Sequence, residues 1–255
     1  MNTEHYKQLW LEEEGFSFQG WDFSHLDGRW QCEPLPWDYR AILERYLRPG
    51  DRLLDMGTGG GEFLLTLGRP YALTTVTEAY PPNVELCRNR LEPLGITVAQ
   101  TFEDELLPFG EDSFDIIINR HESFDASEVF RVLKPGGYFI TQQVGGQNDH
   151  EFSERLIPNF QPQFPKLTLE NTTRLFRQTG FSVLSGEEAF TTIRFFDTGA
   201  LAYFAKICPW EFPGFTVEAA FDRLCGCQAE LEQKGCLLGT EHRFIIASQK
   251  PRQPV

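Results

Sequence analysis

Between residues 53 and 62 an apolar strand ends in an acid and runs straight into a glycine-rich turn: Leu53-Leu54-Asp55-Met56-Gly57-Thr58-Gly59-Gly60-Gly61-Glu62. No other stretch narrows the fold as much. Three glycines at alternating positions are more than a tight strand-to-helix turn needs. Missing Cβ atoms let a ligand approach the backbone, and the amides of such a turn are expected to face that ligand. A helix is expected to open at Glu62–Leu67. Strand, glycine turn and helix in this order begin a βαβ unit, which binds its ligand at the carboxyl edge of a parallel sheet.

The rest of the chain continues the rhythm. Apolar strands are expected at Arg52–Met56, Ala72–Thr77, Thr97–Gln100, Phe114–Asn119 and Tyr138–Gln143, with helices near Asn83–Leu91 and Ser127–Leu133 between them. Alternation at this spacing implies a parallel sheet covered on both faces. A helix over 38–48 precedes the first strand, and 3–14 reads as a short helix with Thr3 as its cap. The stretch 15–38, with Gly15, Gly20, Gly28, Pro34 and Pro36, reads as an ordered loop carrying aromatic anchors. After residue 144 the rhythm loosens. A helix at Leu169–Thr179 is stopped by Gly180, strands are expected at Phe181–Leu184 and Arg243–Ser248, 190–214 looks irregular and 216–234 helical. The expected fold is α/β and Rossmann-like. It is a doubly wound, mostly parallel seven-stranded sheet with an antiparallel C-terminal edge strand and an N-terminal aromatic-rich arm. Residues 1–37 form the arm, and 38–255 form the main domain with an insert at about 190–236.

Charge removes several functions. The chain has 37 acids and 23 bases, a net of −14, and residues 1–150 hold 25 of the acids and 12 of the bases. That leaves −13 in the first part and −1 in the remainder, so neither part has the basic excess a phosphate backbone or anionic membrane surface requires. No apolar run approaches the roughly 20 residues of a membrane span. The polar start MNTEHYKQLW lacks the pattern of a signal peptide, and six cysteines in 255 residues make no disulfide framework, so a cytoplasmic location is expected. Cys225, Cys227, Cys236 and His242 lack the paired spacing of a zinc knuckle, so no metal is expected.

Two ligand classes compete for the turn. A dinucleotide fingerprint starting at Gly57 and Gly59 would place its third glycine at position 62, which is Glu62, where a carboxylate repels pyrophosphate. The pattern is instead Asp55-x-Gly57-x-Gly59-x-Gly61. Here the sequence resembles the class I S-adenosylmethionine-dependent methyltransferases, of the type 11-like, small-molecule kind. Further matches follow in order: Glu78 at the end of the second strand, Glu103-Asp104 after the third, Leu107-Pro108-Phe109-Gly110 and Ser113-Phe114-Asp115 before the fourth, and Arg131-Val132-Leu133-Lys134-Pro135-Gly136-Gly137 before the fifth. The resemblance covers about residues 40–145.

The resemblance implies S-adenosyl-L-methionine as cofactor and methyl transfer to a small, apolar or aromatic acceptor. It implies a cofactor site of Asp55, Gly57, Thr58, Gly59, Gly61, Glu78, Ala79, Asn119 and Arg120, with Glu78 on the ribose and either Glu103 or Asp104 near the adenine. Asn119-Arg120-His121-Glu122 would lie beside the methyl group. His121 is the candidate base, because its ordinary pKa is near neutrality; the alternative is a wall of the pocket, with Glu122 orienting His121 or facing water. Trp21 and Trp37 in the arm, Tyr39 just after it, and Phe196 and Trp210 in the insert, are candidate acceptor contacts through apolar or cation–π packing, with plain core packing as the competing explanation. Arg29 and Arg40 are candidates for holding a carboxylate. RNA or protein methylation and a non-catalytic cofactor-sensing role stay open, and oligomeric state is not specified.

Overall fold

The computed structural model describes residues 3–18 and 22–252. Trp21 lies outside the described residues. In chain order the elements are α1 (Thr3–Gly15), β1 (Trp30–Cys32), α2 (Tyr39–Tyr46), β2 (Leu53–Met56), α3 (Glu62–Thr66), β3 (Thr74–Glu78), α4 (Pro81–Leu91), β4 (Thr97–Gln100), β5 (Phe114–Arg120), α5 (Ala126–Val132), β6 (Leu133–Val144), α6 (His150–Leu156), α7 (Leu169–Thr179), β7 (Ser182–Phe195), α8 (Thr198–Ile207), α9 (Phe221–Lys234) and β8 (Leu237–Gln249). Helix starts follow side-chain chemistry. Asp38 caps α2 by accepting from the Ala41 amide at 3.2 Å, and Asp125 caps α5 by accepting from Glu128 at 2.8 Å.

Among the described residues all strands join one sheet, in the order β1-β7-β8-β6-β5-β2-β3-β4. β6, β5, β2, β3 and β4 are parallel neighbours, β8 is antiparallel to both β6 and β7, and β1 is antiparallel to β7. The sheet has eight strands rather than the seven expected. The arm supplies the eighth: Trp30, Gln31 and Cys32 pair with Phe195, Arg194 and Ile193. The C-terminal strand is internal, with β7 and then β1 outside it.

Period-two alternation sends neighbouring residues to opposite faces. Leu53, Val76, Ile116 and Ile118 pack under Ile42, Leu43, Leu64 and Leu91 from α2, α3 and α4. Leu54, Ile117 and Phe139 pack against Val129 and Phe176 from α5 and α7. A third core is separate. Trp10 of α1, Phe152 of α6, Phe195 of β7, Tyr203 of α8 and Leu224 of α9 meet over the far ends of β7 and β8. These ends project as a ribbon, because β6 stops at Val144↔Arg243 whereas β7 pairs with β8 as far as Phe195↔Leu237. The expected irregular stretch therefore holds the end of β7 and all of α8. Every α8 residue from Ala200 to Ala205 is buried, so it carries no amphipathic stripe to read. Among the described residues no helix is long and apolar enough to cross a membrane.

Candidate active site

β2, β3, β4 and β5 deliver Asp55, Glu78, Gln100 and Arg120 to one edge of the sheet, the carboxyl edge where open α/β sheets bind ligands. Gly57, Gly59 and Gly61 all have positive φ, at 65°, 65° and 76°. Their amides are used differently from the expectation. Gly57 and Thr58 donate to the Thr77 carbonyl at 3.1 and 3.3 Å, Gly61 donates to Thr58 O at 3.1 Å, and Gly59 donates to Glu78 Oε1. These four amides are spent within the protein, and the chemistry left at the turn is carboxylate. Asp55 Oδ2 accepts from Thr58 Oγ1 at 2.7 Å.

Two of the glycines answer to particular side chains. A Cβ on Gly57 would stand 2.5 Å from Glu122 Cβ and Cγ and 2.6 Å from its Oε2, so that glycine admits Glu122 over the turn. A Cβ on Gly61 would stand 2.9 Å from both Leu91 methyl carbons, so Gly61 lets α3 approach α4. Both contacts are tertiary and leave no mark in the local sequence.

Asp55 is 7% exposed and Glu78 4%. Burial lifts the Asp55 carboxyl to about 7 against the help of the Thr58 hydroxyl and Arg120, and Glu78 pushes it the same way. Burial raises Glu78 as well, although it accepts from the Gly59, Ala79 and Tyr80 amides and from Asn83. Glu122 is lifted to about 7 by burial and by the charges of Glu78 and Asp104. Of the two acids after β4, Glu103 is exposed and Asp104 half-buried, and it is Asp104 whose charge Glu122 feels. Sequence reasoning missed Glu122 as a member of this set. The guanidinium of Arg120 lies 4.6 Å from the Phe63 ring centre and 6.0 Å from that of Tyr39. Its charge also eases the ionisation of Asp55.

On the β6 side, Asn119 Oδ1 accepts from Thr141 Oγ1 at 2.9 Å and from Gln143 Nε2 at 2.6 Å, while its Nδ2 is buried without a partner. Tyr39 is buried and donates to Asn119 O at 3.2 Å. Burial and nearby Asp55 push its phenol up. His121 follows with φ 67°. Its surface is exposed, while the protein atoms around it desolvate the ring. That surrounding and the charges of Arg243 and Arg120 hold its pKa well below the ordinary histidine value, so the ring is neutral at pH 7.

The structure gives other work to the two candidate arginines. Arg29 pairs with Asp197 and Glu13, both at 2.7 Å, and Arg40 binds Glu44 at 3.0 Å and the Thr66 carbonyl. Phe196 and Trp210 lie on the insert and are 41% and 37% exposed. Cys227 is buried on α9. Among the described residues no group of three or more His, Cys, Asp or Glu is placed to hold a metal ion. Beside the site a polar knot fills the start of α6. Asn148 Nδ2 donates to Asp149 at 2.6 Å and to both Glu211 oxygens at 2.8 and 2.9 Å. Burial raises both carboxyls.

Residues 54–141 match the family model of the methyltransferase domain. Over 108 residues the chain is 35% identical to the phthiotriol/phenolphthiotriol dimycocerosates methyltransferase of Mycobacterium leprae, covering 39% of this chain and 40% of that protein. It is 29% identical over 148 residues to the fatty-acid O-methyltransferase of Mycolicibacterium smegmatis, covering 54% of this chain and 50% of that one. The chain thus spans about half or less of the curated relatives it matches. A candidate methyltransferase from Bacillus halodurans superposes with a TM-score of 0.57 at 17% identity, over 84% of this chain and 99% of the other, and shares the fold. Residues 54–141 therefore match a methyltransferase domain, and the sheet around them has the fold of that solved structure.

The site fits the cofactor on its own chemistry. Asp55, Glu78 and Glu122 are desolvated carboxylates with Arg120 as the cation beside Asp55. Their complement is a ligand that brings positive charge together with hydroxyl and amino donors, as S-adenosylmethionine does.

Proposed function

We propose that this protein transfers a methyl group from S-adenosylmethionine to a small acceptor with an apolar body. The observation that carries the reading is a set of acids, buried Asp55 and Glu78 and half-buried Glu122, gathered at the carboxyl edge of the sheet around a glycine turn. In this reading Glu78 takes the ribose hydroxyls and Asp104 or Glu103 the adenine amino group. Asp55 and Glu122 meet the cationic end, and Arg120 meets the cofactor carboxylate. Gly57, Thr58, Gly59, Gly61 and Ala79 shape the turn, and Asn119 closes its β5 side. The cofactor supplies an electrophilic methyl group on a sulfonium sulfur. The protein's part is to hold donor and acceptor in line and exclude water, which lowers the barrier by orientation. Trp37, Tyr39, Phe196 and Trp210 are the proposed apolar contacts of the acceptor. An apolar acceptor is supported by the two mycobacterial relatives, named for a lipid and a fatty acid, and a net charge of −14 speaks against an RNA backbone.

The test is a calorimetric titration with S-adenosylmethionine and NAD, followed by transfer of labelled methyl into a cell extract. The expected results are binding of the first ligand alone and label in the solvent-extractable small-molecule fraction. Label in RNA or protein, or NAD binding, would overturn the reading.

A further inference from the structure

Trp37, Gln142 and His121 form a hydrogen-bonded line joining the approach to α2, the end of β6 and the end of β5. Trp37 Nε1 donates to Gln142 Oε1 at 2.8 Å. An indole nitrogen can only donate, so this contact fixes which end of the amide is oxygen. The other end, Gln142 Nε2, stands 3.1 Å from His121 Nε2. An amide nitrogen has only N–H to offer, so the imidazole Nε2 accepts and carries no proton. In a neutral ring the proton then sits on Nδ1. The backbone holds the ring in place: the His121 amide donates to the Gln142 carbonyl at 2.8 Å, and φ is 67°. A non-glycine residue persists in that region only where its surroundings impose it.

We infer that His121 acts through Nδ1–H as a hydrogen-bond donor, locked in that tautomer by Gln142 and Trp37, and that the acceptor is a carboxylate. The inference rests on the methyl-transfer reading above. The one basic lone pair of the ring is occupied by Gln142, so His121 is not placed to take a proton. A carboxylate needs no base: its oxygen lone pair forms the new C–O bond, the S–CH3 bond breaks, and the electron pair of that bond stays on sulfur. The sulfonium becomes a neutral thioether, the carboxylate becomes a methyl ester, and no proton is released. Arg120 of β5, shared with the cofactor carboxylate, and Arg243 of β8, paired with Glu241 at 2.8 Å, are the charged groups that act on the His121 ring. The neighbouring carboxyl, Glu122, is turned away against Gly57, among Glu78 and Asp104.

The tautomer is read directly from imidazole nitrogen shifts. The full chain has five histidines, and His121→Gln identifies the signals of interest. At pH 7 the expected wild-type pattern is Nδ1 protonated and Nε2 bare. Gln142→Glu replaces the donor by an acceptor and should turn the ring to the Nε2–H form, while Trp37→Phe, which frees the amide, should give both forms. A wild-type ring that is Nε2–H or doubly protonated overturns the donor role. For the acceptor class, dodecanoate and dodecan-1-ol are offered with S-adenosylmethionine. Methyl dodecanoate is expected, with kcat/KM at least tenfold lower in Gln142→Glu, and methyl dodecyl ether without ester overturns the carboxylate assignment. Methylation of neither, with cofactor bound, refutes the apolar-chain acceptor of the proposed function, while the nitrogen shifts still decide the role of His121.

Discussion

Replacing Asp55 by Asn should make the protein more stable and less able to bind its cofactor. The carboxyl is lifted from 3.8 to about 7 because it is buried at the end of β2 with Glu78 nearby. Ionising it in the folded protein therefore costs about 4 kcal/mol at most, from 1.36 kcal/mol for each pH unit between the two values. A raised carboxyl pKa means that the folded state binds more protons than the unfolded one between those values. Stability is thus lost as pH rises from about 4 to about 7 and stays low above that. Asn carries no charge, and its Oδ1 can still accept from the Thr58 hydroxyl, now 2.7 Å from Asp55. Allowing for relaxation and residual water, about 2 kcal/mol should be recovered at pH 8, a rise in Tm of about 4–8 °C for a chain of this size. At pH 5 the rise should be clearly smaller. Thermal unfolding without ligand, at both pH values, measures it, and calorimetry with S-adenosylmethionine should show weakened binding. A variant less stable than wild type at pH 8, or a Tm gain equal at both pH values, would refute the reasoning.

Three other perturbations separate packing from chemistry. Gly61→Val places a side chain against Leu91 at a φ of 76° and should cost more than about 2 kcal/mol by urea unfolding. Trp10→Ala empties a site that is 1% exposed in the third core and should cost about 3–5 kcal/mol. Asp149→Asn gives Glu211 an N–H in place of a competing acid. It should raise Tm at pH 8 more than at pH 5, because a raised acid pKa withdraws stability as pH climbs.

The parts of this fold legible in the sequence are those written in local pattern. Thr97–Gln100 and Leu169–Thr179 fall where apolar alternation and the Gly180 stop place them. The parts that were not legible depend on distant partners. β1 is three residues inside a stretch rich in glycine and proline, and it is a strand only because Phe195 to Ile193 lie beside it. β7 continues past Leu184 because β8 pairs with it as far as Leu237. At the site, Asp55 and Glu78 could be placed by their positions at strand ends. Glu122 could not, because its place over Gly57 comes from a fold-back of 65 residues. The tautomer of His121 likewise depends on an indole 84 residues earlier in the chain, brought to it through Gln142.

The eighth strand also sets an order of events. Trp30 to Cys32 pair with Ile193 to Phe195, and α1 packs on α8. On a ribosome the arm therefore emerges first and waits for more than 160 further residues before its partners exist. Contacts of such long sequence separation form slowly. Through that wait Trp10, Phe18, Phe23 and Trp30, which end up packed in the third core, are uncovered. The segment that finishes the sheet is then the one most open to chaperones, and to aggregation, during synthesis.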